Sequence, residues 1–412
     1  PNCIRQKKFN FLYFAVVCLE TLYMAESGLL SRFPLSGIRV LELAGLAPAP
    51  FCGMVLADFG AQVTRVNMVG EHVSRDVLSR GKKSVSINLK TENGKSVFKR
   101  LSKLSDILIE PFRPGVMERL ELCPKSLCAL NEKLIYVRLN GYGMNGQLAS
   151  KAGHDINFLS VSGVLSRLGR KDDKPTPPIN LLGDFGGGGM IAVTGILLAL
   201  FERSLSGKGQ TVNASITEGT SYISSFLHRS NKLGIWTGNR GENLLDSGAP
   251  FYETYATKDG KYISVGAIEP QFYRNFVLGL ELDDLLNSQY DYLNWPSMKK
   301  LIEDVVKTKT QKQWLEIFTE KDACVTPVLE LNEAAMFQHN IDNHSYMKNE
   351  DGFEPCPAPK LSRTPGINFC RADPKVGEHT VEFLMEYGFD LSEVDELLKN
   401  KDVEQYKPKS FL

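Results

Sequence analysis

The sequence predicts an α/β fold, with a large domain built on a parallel sheet and a smaller α+β domain after it. Three observations carry that prediction. Short apolar strands alternate with helix-patterned segments over roughly the first third of the folded region. The segment between the first two strands opens on prolines and closes on Gly60, as a crossover helix does. From about Pro250 the texture changes to aromatic-rich strands around Asp259-Gly260, a hairpin signal, followed by helical segments.

The elements follow in order. "IRVLEL" (Ile38 to Leu43) reads as a strand, "APAPFCGMVLADFG" as a helix and "AQVTRVN" (Ala61 to Asn67) as the next strand. Strand twist makes the connection of such a βαβ unit right-handed. "KSVSINL" continues the sheet, then a helix over Glu92–Leu104, the strand "DILIE" and the strand in "LIYVRLNGYG". Alternation of this kind implies a sheet covered on both faces. "HDINFLSVSGVLSRLG" opens a helical stretch. "LLGDFGGGG" reads as a glycine-rich turn, with Asp184 at a strand-like end, and "MIAVTGILLALF" as a buried helix. "TVNASI" is a strand and Glu218–Leu233 a helix. The later block predicts helices near Gln271–Leu278, Pro296–Lys307 and Gln311–Thr319 and a short strand in "CVTPVLEL". "PCPAPKLSRTPG" is a Pro-rich connector, and the tail from Glu378 to about Lys399 is helical.

Composition narrows the function. Lys+Arg and Asp+Glu both number 48 in 412 residues, so no global charge steers the chain to nucleic acid or to an acidic membrane. The eight cysteines are scattered and have no histidines at metal-ligand spacing, which reads as reduced thiols without a metal site. The first loop, "AGLAPAP", lacks the G-x-G-x-x-G phosphate cradle, so a nicotinamide or flavin dehydrogenase is a poor fit. The chain starts at Pro1, and basic residues precede the apolar run "FNFLYFAVVCLETLYMA". The run is short and interrupted for a membrane span. The expectation is that Met24 is the functional start and residues 1–23 lie upstream of it.

Three places carry candidate chemistry. His154, between Gly153 and Asp155, stands at a helix start, where free N–H groups and the dipole favour negative charge and imidazole can exchange a proton near neutral pH. Asp184 leads into four glycines that would permit positive φ and close approach by a ligand. Glu269 stands between a strand and a Pro-initiated helix. Taken singly, each also fits a plain helix-start role.

Together these stretches closely resemble the racemase branch of the family III CoA-transferase superfamily. The resemblance is carried by "LAGLAPAPFCGMVLADFGAQVTRV", "RGKKSVSINLK", "EPFRPGVMERL", "AGHDINFLSVSGVLSRLGR", "NLLGDFGGGG", "GAPFYETYATKDG", "VGAIEPQFY" and "DACVTPVLEL", and spans roughly Leu35 to the C-terminus.

The resemblance implies 1,1-proton transfer on a 2-methyl-branched acyl-CoA thioester, through an enolate, in branched fatty acid and bile acid intermediate metabolism. His154 and Asp184 would be the two bases, one on each face of the α-carbon, and Glu269 the carboxylate that supports the histidine. The backbone N–H of Asp155 would hold the enolate oxygen. Acyl-CoA contacts would come from Asn88, Leu89, Lys90 and Thr91, and from Gly153, His154, Asp155, Ile156, Asn157 and Phe158. Arg113 and Arg119 are further phosphate candidates, and either also fits a surface or ion-paired arginine. Where relatives place a CoA-binding arginine after "RVN", this chain has Met68; Lys82 or Lys83 could compensate, or CoA binds more weakly.

The resemblance also implies a Rossmann-like large domain and an interlocked homodimer in which Glu269 reaches His154 of the partner subunit. Its boundaries are 1–34 for a leader outside the fold, 35–235 for the CoA-binding α/β domain and linker helix, 236–350 for the small domain, and 351–412 for a return segment completing the large one. No cofactor is expected beyond the CoA of the substrate. Relatives work in peroxisomes and mitochondria, although Phe411 degrades a peroxisomal C-terminal signal. The rivals are a family III CoA transferase with Asp184 as nucleophile, and a non-catalytic CoA binder.

Overall fold

The computed structural model describes residues 33–74, 76–369 and 372–408. The reading of residues 1–23 and that of Phe411 fall outside the described residues. Contacts divide the chain into two compact units. Of the described residues, one holds those up to Ser150, Gly188–Ser215 and those from Met347 on; the other is Lys151–Gly187 and Ile216–Tyr346.

The strands in chain order include β1 (Arg39–Leu43), β2 (Gln62–Asn67), β3 (Lys83–Ile87), β4 (Ile107–Glu110), β5 (Ile135–Asn140), β6 (Thr211–Ser215), β7 (Tyr252–Ala256), β8 (Tyr262–Gly266) and β9 (Val325–Val328). The main helices are α1 (Pro48–Asp58), α2 (Glu92–Lys103), α3 (Asp155–Ser162), α4 (Ile191–Ser206), α5 (Ile216–Ile223), α6 (Pro270–Gly279), α7 (Trp295–Val306), α8 (Gln311–Thr319) and α9 (Leu391–Lys399).

In the first unit the parallel sheet runs β3-β2-β1-β4-β5-β6, and a short C-terminal strand pairs antiparallel to β3, with Val403 opposite Ile87. Period-two alternation sends the strand side chains to two separate cores. Leu41, Val66, Val85 and Leu108 pack with Phe98 and Leu101 of α2 and with Phe383, Leu384, Val394 and Leu397 of the tail. Val40, Val63, Ile107 and Val137 pack with Cys52 and Leu56 of α1 and with Ala192, Val193 and Ile196 of α4. The two faces are covered as the near-continuous apolar strands require. Thr91 starts α2 by accepting the Gly94 N–H at 3.1 Å, a cap of about 1 kcal/mol.

The second unit holds the antiparallel sheet β7-β8-β9, with α6, α7 and α8 packed around Phe251, Ile263, Phe276, Ile302 and Trp314. Asp259-Gly260 makes the expected turn between β7 and β8, with Gly260 at φ +73. Residues 151–187 and 216–235, expected in the large domain, belong to this unit instead. The shift in sequence texture near Pro250 marks the hairpin rather than the boundary, because α3 and α5 already pack on each other.

Other expectations need correction. "LLGDFGGGG" is no turn: Leu181–Met190 is a π-helix running directly into α4. None of Gly183, Gly186, Gly187 or Gly189 has positive φ. A Cβ on Gly183 would stand 2.2 Å from Asp155 Oδ1, and one on Gly187 2.7 Å from the Thr220 backbone nitrogen. These glycines allow close packing by having no side chain.

α4 is only half buried. Ala192, Val193, Ile196 and Ala199 face the core, while Leu197, Leu198, Phe201 and Leu205 are exposed. By length and composition the run Leu181–Ser206 could cross a membrane, a test that soluble core helices also pass. The helix read over Glu218–Leu233 is three pieces: α5, Ser225–Arg229 and a 3₁₀ turn at Ser230–Leu233.

Candidate active site

The second unit gathers His154, Asp155 and Asp184. His154 is the N-cap residue of α3, with extended backbone, φ −127 and ψ 176. Its imidazole makes no cap hydrogen bond; Asn157 Oδ1 instead accepts the His154 backbone N–H at 3.0 Å. The ring is thereby left for other chemistry, and the residue is exposed. Asp155 follows as the first residue of α3. Its own N–H has no intrahelical acceptor, as for every residue in a first helical turn.

Asp184 reaches the same place from the π-helix. It is buried, and Asn180 Nδ2 donates to its Oδ2 at 2.9 Å. Its backbone N–H donates to Asp155 Oδ1 at 2.7 Å, which ties the π-helix to the start of α3. Burial, reinforced by the charge of Asp155, pushes the Asp184 carboxyl up to about 6, against the opposing pull of the Asn180 hydrogen bond and of His154. His154 is therefore near enough to act on Asp184 electrostatically. Asp184 neither caps α4 nor ends a strand.

Sequence reasoning missed Asn180 and the Asp155 side chain. The four-residue spacing of Asn180 and Asp184 signals a helical contact only once the glycine stretch is known to be helical. Asn180 and its neighbour Ile179 both have positive φ, 61 and 53, and for the β-branched Ile179 that is a strained conformation.

Glu269 caps the start of α6 by backbone position alone, with no side-chain cap bond, and is exposed. Its charge acts on the Cys324 thiol, which it helps to raise. Among the described residues no hydrogen bond or ion pair joins it to His154 within the chain. Ile156 and Asn157 are exposed on α3, whereas Phe158 is buried; Gly153 is intermediate. Among the described residues no cluster of three or more metal-ligating side chains occurs.

The first unit holds a cavity of about 510 Å³ at the carboxyl ends of β1, β2 and β3. Leu43 to Leu46, Arg65 to Met68, Ile87 to Lys90, Phe112 and Arg119 line it. It thus brings together Asn88, Leu89, Lys90 and Arg119. Thr91 is engaged as the cap of α2, and Arg113 is exposed and outside the lining. The expected substitutes for an arginine at Met68 are occupied elsewhere. Lys82 is buried and pairs with Glu42 at 2.8 Å, and Lys83 pairs with Glu382 and Glu386. Arg65 pairs with Asp76 at 2.6 Å. Among the described residues Lys90 and Arg119 form no ion pair, so they are the cations this cavity offers an anion.

The sequence profile of CoA-transferase family III matches residues 35–380. The chain is 52% identical over 92% of its length to the whole of the mouse protein named alpha-methylacyl-CoA racemase, and 50% identical over the same share to the whole human protein of that name. A crystal structure of a CAIB/BAIF family protein from Brucella suis superposes with a TM-score of 0.73 at 22% identity, covering 86% of this chain and all of that one. That likeness concerns the fold.

Proposed function

The chain belongs to CoA-transferase family III, and from that premise we propose that it is a racemase of 2-methyl-branched acyl-CoA thioesters. The observation that carries the reading is a meeting of residues: the buried Asp184, tied through its N–H to Asp155 Oδ1 at 2.7 Å, lies within electrostatic reach of His154 at the start of α3, with its carboxyl pushed up to about 6. A base that exchanges protons should titrate near working pH. Placed on separate elements, Asp184 and His154 address one α-carbon from two sides. One removes the α-proton, the electron pair moves onto the thioester oxygen, and the other base returns a proton to the opposite face. The Asp155 N–H at the start of α3 stabilises the enolate oxygen. This chemistry needs neither a metal nor a redox cofactor.

The reading extends to binding and assembly. Lys90 and Arg119 grip the CoA phosphates in the cavity of the first unit, with Asn88 and Leu89 beside them; Thr91, Arg113 and Gly153 to Phe158 are further contacts on the family resemblance. The strand order is that of Rossmann-like dinucleotide folds, whose ligands sit at the carboxyl ends of the strands. A homodimer is supported by exposed apolar side chains in each unit, Leu198 and Phe201 on α4 and Tyr222 and Phe226 in the other. Glu269 then serves His154 of the partner subunit. Mixed dimers of inactive His154→Ala and inactive Glu269→Ala chains should recover activity; no recovery in verified mixed dimers would remove that role. A peroxisomal or mitochondrial setting is proposed on resemblance to the racemases.

The deciding experiment incubates one C2 epimer of a 2-methylacyl-CoA in deuterated water. Deuterium at C2 with epimerisation is expected. CoA movement to an added acid would instead make Asp184 the nucleophile of a transferase. Neither reaction would leave a CoA binder.

A further inference from the structure

We infer that the side chain of Asp155 is a positioning residue that holds Asp184 in place and lays a second negative charge beside it. The inference rests on the reading of Asp184 as a base. It begins from an imbalance in how Asp155 is used. The residue is 3% exposed. Oδ1 accepts the Asp184 N–H at 2.7 Å, while Oδ2 is buried with no hydrogen-bond partner among the described residues. Among the described residues it forms no ion pair. A buried carboxylate with one unpartnered oxygen is costly, and a neutral acceptor would serve the N–H as well. The charge is therefore surplus to the tie.

That charge falls on the neighbouring carboxyl. It adds to burial in raising the proton affinity of Asp184, while His154, one residue before Asp155, acts in the other direction. The groups acting on Asp184 from the packed elements are thus Asp155 and His154 from the start of α3 and Asn180 from the preceding turn. Geometry and charge come from one side chain: Asp155, the residue after the histidine, anchors the π-helix and adds to the proton affinity of its aspartate. The space is built for it. Gly183 passes so close that any Cβ there would strike Asp155 Oδ1.

The test compares Asp155→Asn with Asp155→Ala in the full-length protein, following epimerisation across pH with a 2-methylacyl-CoA. Asp155→Asn keeps an acceptor and loses the charge, so the acidic limb of kcat/KM should move down by about one pH unit. Asp155→Ala loses both and should lower kcat at least tenfold with KM within about twofold. Gly183→Ala should lower kcat in the same way with all three acids and bases still present. A merely structural Asp155 would change thermal stability and leave the limb in place. An unmoved limb in Asp155→Asn therefore overturns the inference, even if Asp155→Ala fails to fold. Asp184→Asn run in parallel separates the two ideas: if it epimerises like the wild type, the reading of Asp184 has failed; if it is inactive while Asp155→Asn keeps the wild-type limb, only the inference has.

Discussion

Buried carboxylates in the two units are handled in two ways, with a cation or without one. In the sheet unit Glu42 meets Lys82 at 2.8 Å, Asp58 meets Arg80 at 2.6 Å, and Glu110 meets Arg138 at 3.0 Å. In the other unit Glu253 likewise meets Lys299 at 3.0 Å, whereas Asp155 and Asp184 are buried with no cation in ion-pair contact among the described residues. A charge kept for architecture must be neutralised, because leaving it alone costs several kcal/mol. A carboxylate that takes and returns a proton must titrate near working pH. Burial alone can achieve this, as it pushes Glu110 up to about 7 beside Arg138, so the missing cation is what distinguishes Asp184 from these ion-paired acids.

The largest expected effect that could break this contrast is on turnover. Asp184→Asn and His154→Ala should each lower epimerisation by 10²-fold or more, up to about 10⁴-fold, with CoA binding retained. Near-wild-type rates in either would end the two-base account. Next comes Lys82→Met. It should destabilise the fold by about 3–5 kcal/mol, since Glu42 is left buried without its cation. Denaturant unfolding checks this, and an unchanged midpoint would mean the pair does not neutralise Glu42.

A smaller effect has the opposite sign. The folded protein holds the Asp184 proton between about pH 4 and 6, where the unfolded chain has released it, so stability falls as pH rises through that window. Asp184→Asn should therefore be more stable than the wild type at pH 7.5, by up to about 3 kcal/mol, with the gain vanishing near pH 4. A gain that is equal at both pH values would have another origin. The smallest effects belong to the cavity. Lys90→Ala and Arg119→Ala should each raise KM for acyl-CoA about fivefold, roughly 1 kcal/mol, with kcat little changed. A truncated pantetheine thioester, lacking the nucleotide phosphates, should feel neither change. If it does, these cations do not read the nucleotide.

Much of this was legible in the sequence, because strands β1 to β5 and helices α1 and α2 each carry their own signal: apolar runs, prolines at helix starts and Gly60 at φ +98 after α1. The site residues His154 and Asp184 were legible as unusual residues, and their pairing came only through resemblance. What stayed hidden is tertiary. Glycine has poor helix propensity, so "GDFGGGG" reads as a turn until the close approach to Asp155 and Thr220 overrides it. The unbroken apolar run of α4 has no period, so its exposed side could not be told from its buried one. The bond from Asp184 to Asp155 joins positions 29 apart and has no local trace.

Two-base chemistry depends most on the state of one carboxyl. Carbon-13 NMR of aspartate-labelled protein, with Asp184→Asn to assign the signal, reads it directly in the substrate-free enzyme. The contrast predicts that Asp184 titrates near pH 6. A midpoint in the ordinary aspartate range, near 4 or below, would contradict the poised state that the two-base reading gives Asp184.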